Sequence, residues 1–221
     1  MQGRTITVRG KGSASALADL VELTLRLESI DKNYEKAMDK SAESVEGILR
    51  AFEERGFDKD DVKTTNFNVR TDYQSRRDKD GNYISEFNGY AVGQSLKITF
   101  AFEPERLSQA LAAVAESGSK PQVGVRFAVS DAAALREDVL AAAAMDAKAK
   151  AEILCRASGA KLGALKSIDY GVISVNVYSE TNYDVEEACF GAAPMMKARA
   201  VEINPEDVTV NDDVTFVWEL D

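Results

Sequence analysis

Histidine is absent from this chain of 221 residues, and cysteine is scarce. Without an imidazole, the chain cannot form the catalytic triads, general bases and zinc sites that depend on histidine. The two cysteines, Cys155 and Cys189, are too few for a thiolate metal cage. We therefore expect no metal and no cofactor. Since no other catalytic constellation is recognisable either, the sequence favours a protein that is not an enzyme.

Long apolar runs and a positive charge balance are also missing. No segment approaches the length of a membrane span, and residues 1–10 lack the apolar core of a secretion signal. The net charge of −10 argues against nucleic acid and anionic membranes, whose binding depends on Lys and Arg. We expect the chain, as given, to be located in the cytoplasm, or in the periplasm if a native signal has been removed from it.

An alanine-rich stretch from Asp131 to Gly163 predicts the longest helix and the spine of the core. Asp131 or Ser130 suits the N-cap, and Gly159 and Gly163 are stop signals. A projection at 100° per residue predicts one inner face. Its members are Leu135, Val139, Leu140, Ala143, Ala147, Ala151, Ile153 and Leu154.

Asp146 and Lys150 interrupt that apolar face, four residues apart in the favourable order of acid before base. One interpretation is a structural ion pair at the edge of the core or in an oligomer interface. The other is a functional acid–base pair in a cleft. Because no nucleophile or ligand set lies beside them in the sequence, the structural interpretation is favoured.

The remaining pattern predicts an α+β fold in which hairpins alternate with helices. The order ββα, ββα, βα, ββ indicates a mixed or antiparallel sheet packed against the long helix and two shorter ones. We expect one domain over 1–221, with a finer division into lobes of about 1–103 and 104–221. Strands are predicted at 5–9, where Gly10-Lys11-Gly12 interrupts the first, and at 21–28, 62–73, 83–102, 121–129, 167–177 and 207–220.

Residues 178–200 show no clear period and predict an irregular arm. Its apolar members could bind a partner, or they could pack back onto the sheet. The two thiols predict unpaired cysteines in a reducing compartment, and a disulfide or redox pair is the alternative. The candidate arm residues are Tyr178, Tyr183, Phe190, Met195 and Met196.

Six segments, taken in order, carry a family resemblance: ITVRGKGSA, LRAFEERGFDKDDVKTTNFNVRTDY, GYAVGQSLKITF, SGSKPQVGVRFAVSD, DAKAKAEILCRASGAKLG and VTVNDDVTFVWEL. Together they resemble the SIMPL-domain family, the YggE-like proteins, over nearly the whole chain. The chain departs from that family's pattern where Ala18-Asp19 replaces its usual Pro-Asp. The resemblance implies oligomers in some members and a link to oxidative-stress tolerance in others. It provides no catalytic residues to carry over.

The leading hypothesis is a non-enzymatic scaffold that forms homo-oligomers and is linked to oxidative stress. The alternative is a monomeric or dimeric module that binds a peptide or a small ligand through the arm. A third hypothesis, a thiol redox sensor using Cys155 or Cys189, has less support because the sequence contains no CxxC motif.

Overall fold

The computed structural model describes residues 4–77, 82–171, 177–185 and 203–221. The described parts contain three helices and eight strands, and the strands form two antiparallel sheets. This confirms the α+β prediction. A short 3-10 turn, Lys59–Asp61, follows the first helix. In chain order the elements are β1 Thr5–Ala16, β2 Leu20–Asp31, α1 Tyr34–Glu54, β3 Lys63–Arg77, β4 Tyr83–Ala101, α2 Pro104–Glu116, β5 Gln122–Ala128, α3 Ala132–Ser158, β6 Leu162–Asp169, β7 Tyr178–Val185 and β8 Val208–Leu220.

The strands form a three-stranded sheet, β1-β8-β6, and a five-stranded sheet, β3-β4-β2-β5-β7. One compact unit contains β1, α3, β6 and β8, and a second contains β2 to β5 with α1 and α2. Their boundaries fall near residues 19 and 127. The reason is that β1 pairs along its whole length with β8, so the two ends of the chain share one sheet.

The long helix α3 begins and ends at the residues that capping chemistry favours. The Asp131 side chain accepts from the Ala134 N–H at 2.8 Å, which satisfies a free donor of the first turn. Gly159 ends the helix in the left-handed conformation, at φ 74°. Gly163, the other predicted stop signal, lies inside β6 instead. The 27 residues span about 40 Å.

The buried stripe of α3 winds around the helix, and part of the predicted inner face is therefore wrong. Ile153 and Leu154 are 60% and 51% exposed, whereas Cys155 is buried. Residues spaced by four drift around the axis by about 40° per step, since the helix has 3.6 residues per turn. A fixed projection misses this drift over so many turns. The buried positions follow the row Leu135, Val139, Ala143, Ala147, Ala151 and Cys155.

In the second unit, α1 packs large side chains onto β2 and β4. Asn33 caps the helix by accepting from the Lys36 N–H at 3.1 Å. Phe52 is fully buried and meets Phe57 edge-on, with ring centroids 5.2 Å apart. The Arg106 guanidinium covers the other ring, 3.6 Å from the Phe57 centroid. This core thus depends on side-chain volume.

Three strand predictions need correction. β1 does not stop at Gly10-Lys11-Gly12 but continues to Ala16, because the register with β8 runs unbroken through those residues. β6 begins at Leu162 rather than at residue 167, directly after the helix cap. Residues 178–185 of the predicted irregular arm form β7, which lies beside β5 in the five-stranded sheet.

Candidate functional site

The Asp146–Lys150 pair lies against the edge strand β1. Oδ2 of Asp146 accepts from Nζ of Lys150 at 2.6 Å and from the backbone N–H of Lys11 at 2.7 Å. Since β1 is the outer strand of its sheet, the carboxylate satisfies an N–H at the edge. Both charged side chains remain partly exposed.

These two hydrogen bonds favour the ionised carboxylate. The bond from Lys150, and then the one from the Lys11 N–H, hold the pKa of Asp146 below its ordinary value. A carboxylate of lowered pKa that is paired in this way is a poor general base at neutral pH. The geometry therefore favours a structural role for the pair.

Gly10 and Gly12 bring β1 into backbone contact with α3. A Cβ at Gly12 would lie 1.9 Å from the Val139 carbonyl oxygen, and one at Gly10 would lie 2.0 Å from that of Ala143. The space beside both glycines is thus filled by the helix, which leaves no room for a ligand at that point. The motif that interrupted the sequence pattern is a packing device.

The other candidate residues fall into described and undescribed parts of the chain. Cys155 is 3% exposed and is a free thiol. Tyr178 lies at the start of β7, and Tyr183 belongs to the same strand. Outside the described residues lie Cys189, Phe190, Met195 and Met196. Nothing described brings the candidate arm residues together as a site.

A surface that the sequence analysis missed is the outer edge of β3. This 15-residue strand ends the strand order of the five-stranded sheet, and no described strand pairs with its outer side. Nearly every one of its residues is exposed. Phe67 and Val69 share its helix-side face, and they are 50% and 36% exposed. An open edge with uncovered apolar residues is a template for a further strand.

Aromatic rings extend this surface along the hairpin. Tyr73 of β3 meets Phe87 of β4 at 5.7 Å between centroids. Phe87 meets Tyr90 at 5.5 Å, and Tyr90 meets Tyr34 of α1 at 5.7 Å. All three contacts are edge-to-face, the geometry that aromatic pairs prefer. The chain of rings braces the hairpin against α1, so that the open edge is presented on an ordered strand.

Comparison with protein families gives a match over residues 6–218 to the model described as SIMPL, protein of unknown function (DUF541). The chain belongs to the SIMPL family. The matched residues begin in β1 and end in β8. The match therefore includes parts of both of these strands, which pair with each other in the three-stranded sheet. The family predicted from the six segments is confirmed.

This SIMPL chain is also similar to an uncharacterised protein YggE from Edwardsiella ictaluri (strain 93-146). The two are 22% identical over 221 residues, which covers 99% of this chain and 88% of the relative. Neither description assigns a biochemical activity. None of the helices in the described part of this SIMPL protein is long and apolar enough to cross a membrane.

Proposed function

We propose that this SIMPL protein is a non-enzymatic assembly protein that associates with copies of itself through the open edge of β3. The observation that supports the proposal is the uncovered pair Phe67 and Val69 on an unpaired 15-residue edge strand. Natural sheets usually protect such edges with a bulge, a cover or an inward-pointing charge. The pairing of β3 is irregular at residues 64–66 and 72–73, but Phe67 and Val69 lie in the regular stretch between these two points.

A second copy of the chain suits this edge better than an unrelated strand. Consider two β3 strands paired antiparallel about Asn68. Phe67 then lies opposite the partner's Val69, and Val69 lies opposite the partner's Phe67. Side chains directly opposite in an antiparallel pair share one face. The two copies would thus form an apolar patch of four side chains, two from each strand, around a two-fold axis.

Charges along β3 agree with that register. Arg70 lies opposite the partner's Asn66. No like charges lie directly opposite each other between residues 66 and 70, which lie within the regular stretch of the strand. Arg70 is also paired within its own chain, with Glu28 at 2.7 Å and Asp72 at 3.1 Å. A self-complementary strand whose central charges, Arg70 and Asp72, are paired within their own chain fits an isologous interface.

A direct role in oxidant sensing gains no support from Cys155. The thiol is 3% exposed inside the α3 packing, and reactive cysteines are accessible to solvent. A link to oxidative stress would then depend on the assembly and on the molecules bound to it.

The test is the solution mass of the full chain by light scattering, compared between wild type and Val69→Lys. We expect wild type at twice the chain mass of 24.0 kDa or a multiple of that. The variant should have the mass of one chain, because the lysine would face the partner's Phe67. Its long side chain can reach solvent in the single chain, so the fold should persist.

Ile153→Lys is the matched control, since it places the same charge on an exposed apolar residue of α3, far from β3 in sequence. It should leave the mass unchanged. A wild-type mass of one chain at about 100 μM would refute the proposal, because an interface that weak would have Kd above that concentration. If Val69→Lys has the same mass as an oligomeric wild type, β3 is not the surface through which the copies associate. If wild type has the mass of one chain and the edge of β3 pairs with an added extended peptide, the result would point to the alternative, a peptide-binding module.

A further inference from the structure

A polar groove lies on the face of the five-stranded sheet opposite α1. Alternation along β2 turns Leu25 and Leu27 into the core and Arg26 and Glu28 to the other face. The groove has a volume of about 390 Å³, within the range of small-molecule sites. Residues of four segments line it, from β3 across β4 and β2 to the start of β5.

Strand register arranges the groove as two polar rows. Asn66, Ser95 and Arg26 form one row across β3, β4 and β2. Asn68, Gly93 and Glu28 form the next row, about 7 Å along the strands. Neighbouring strands lie about 4.8 Å apart, so each row spans roughly 10 Å. That is the footprint of one sugar ring with its substituents.

Gly93 forms the floor of the groove. A Cβ at this position would lie 2.4 Å from Oδ1 of Asn68. The missing side chain therefore lets the Asn68 carboxamide lie across β4, close to the backbone. The amide groups of Asn66 and Asn68 have no protein hydrogen-bond partner among the described residues. Each offers donors and an acceptor, which is what hydroxyl groups require.

The charge of the groove is opposite to that of the chain. The net charge of the chain is −10, yet Arg26 and Lys120 line the groove without an ion pair in the described parts of the structure. The one acid of the lining, Glu28, accepts from Arg70 at 2.7 Å and is neutralised by it. Two uncompensated cations in an acidic protein favour an anionic ligand.

We propose that this groove binds an anionic sugar, with its carboxylate or phosphate on Arg26 and Lys120 and its hydroxyl groups on Asn66, Asn68 and Ser95. The guanidinium of Arg26 presents the fork that recognises either anion. The polar lining disfavours an apolar ligand, since its amides would be left without partners. The groove lies on the face of β3 opposite to Phe67 and Val69, although Asn66 and Asn68 belong to the strand that pairs in the proposed self-association.

The experiment is an NMR titration of the ¹⁵N-labelled full chain with glucuronate and with glucose 6-phosphate. Glucose tests the need for the charge, and acetate and inorganic phosphate test the need for the hydroxyl groups. We expect saturable shifts with the two anionic sugars, centred on residues of the groove. Binding by only one of them would identify the anionic group and still support the proposal.

Arg26→Gln should weaken binding by about tenfold or more, the effect of losing one hydrogen bond to a charged group. Asn68→Ala should weaken it less. Arg50→Gln is the matched control, because it removes the same charge from an exposed position of α1, and it should preserve the affinity. Since all three substitutions are at exposed positions, the circular dichroism of the variants should match wild type.

Three results would overturn the proposal. The first is the absence of saturable shifts at about 10 mM sugar, a concentration at which even weak sites fill. The second is equal affinity of wild type and Arg26→Gln for the anionic sugars, and the third is equal binding of acetate or inorganic phosphate, which would exclude a sugar site. The solution mass of Arg26→Gln should equal that of wild type, so failure here is distinguishable from failure of self-association.

Discussion

The two sheets of this SIMPL protein pack against their helices in opposite ways. On the three-stranded sheet, α3 presents alanines to strand glycines, and a Cβ at Gly12 would lie 1.9 Å from a helix carbonyl. On the five-stranded sheet, α1 packs on β2 and β4 and buries the large side chains Ile48 and Phe52. Backbone contact sets the helix–sheet distance in the first case, and side-chain volume sets it in the second.

This difference determines which kind of substitution each layer tolerates. A layer held apart by large side chains loses stability when a side chain is removed, because a cavity remains. A layer in backbone contact loses stability when an atom is added, because neither backbone can yield without moving a whole element. The layer with the more restrictive packing is therefore the one with the smaller side chains.

The largest expected effect tests the layer that depends on side-chain volume. Phe52→Ala removes a fully buried ring and its edge-on contact with Phe57. We expect a loss of about 3–5 kcal/mol in the free energy of unfolding. Urea unfolding followed by circular dichroism measures it. Met145→Ala, which truncates an exposed side chain, is the control and should cost less than about 0.5 kcal/mol. Equal costs for the two would contradict the cavity argument.

A second substitution tests the layer that depends on backbone contact. Gly12→Ala adds one methyl group where the Val139 carbonyl oxygen already lies, and we expect a loss of about 3 kcal/mol. Trp218, the only tryptophan of the chain, packs on Phe216 in this sheet, so its fluorescence reports the transition. Gly171→Ala makes the same addition in open space and is the control. If Gly12→Ala proves as stable as Gly171→Ala, α3 does not rest on the β1 backbone.

The local parts of this comparison were predictable from the sequence. The cap Asp131 has a short oxygen-bearing side chain in front of a periodic helix, a signal carried by a few neighbouring residues. Alternation predicted most strands for the same reason. Gly10 and Gly12 were misleading because a glycine in a strand signals either an interruption or a close approach. Only the partner helix, more than 120 residues away, decides between the two.

Surfaces defined by several strands could not be predicted in the same way. Which strand lies at the edge of a sheet depends on the pairing order, and nothing in the β3 sequence states that its outer side is unpaired. The groove joins Arg26, Asn66 and Ser95, which meet only through the registers of β2 and β3 with β4. Side-chain periodicity reports the face of a residue but not its neighbours across the sheet.

The smallest expected effect concerns the charged contact that Asp146 makes at the interface between α3 and β1. Asp146→Asn keeps an acceptor for the Lys11 N–H but loses the ion pair with Lys150. Because the folded state lowers the pKa of Asp146, the ionised carboxylate stabilises the fold above its ordinary pKa. That stabilisation is lost as the pH falls through the lowered value. The variant should therefore melt slightly below wild type at neutral pH.

The pH dependence separates this charge effect from a loss of packing. We expect the difference in melting temperature to stay constant down to about pH 4 and to shrink below it, where the carboxylate of the unfolded wild-type chain takes up a proton before that of the folded chain. Asp138→Asn removes the same charge from the exposed side of α3 and should show neither the offset nor its pH dependence. An offset that persists unchanged at about pH 2.5 would mean that the carboxamide disturbs the β1 contact sterically. The helix would then depend at Asp146, as at Gly12, on the fit of its backbone against the strand rather than on charge.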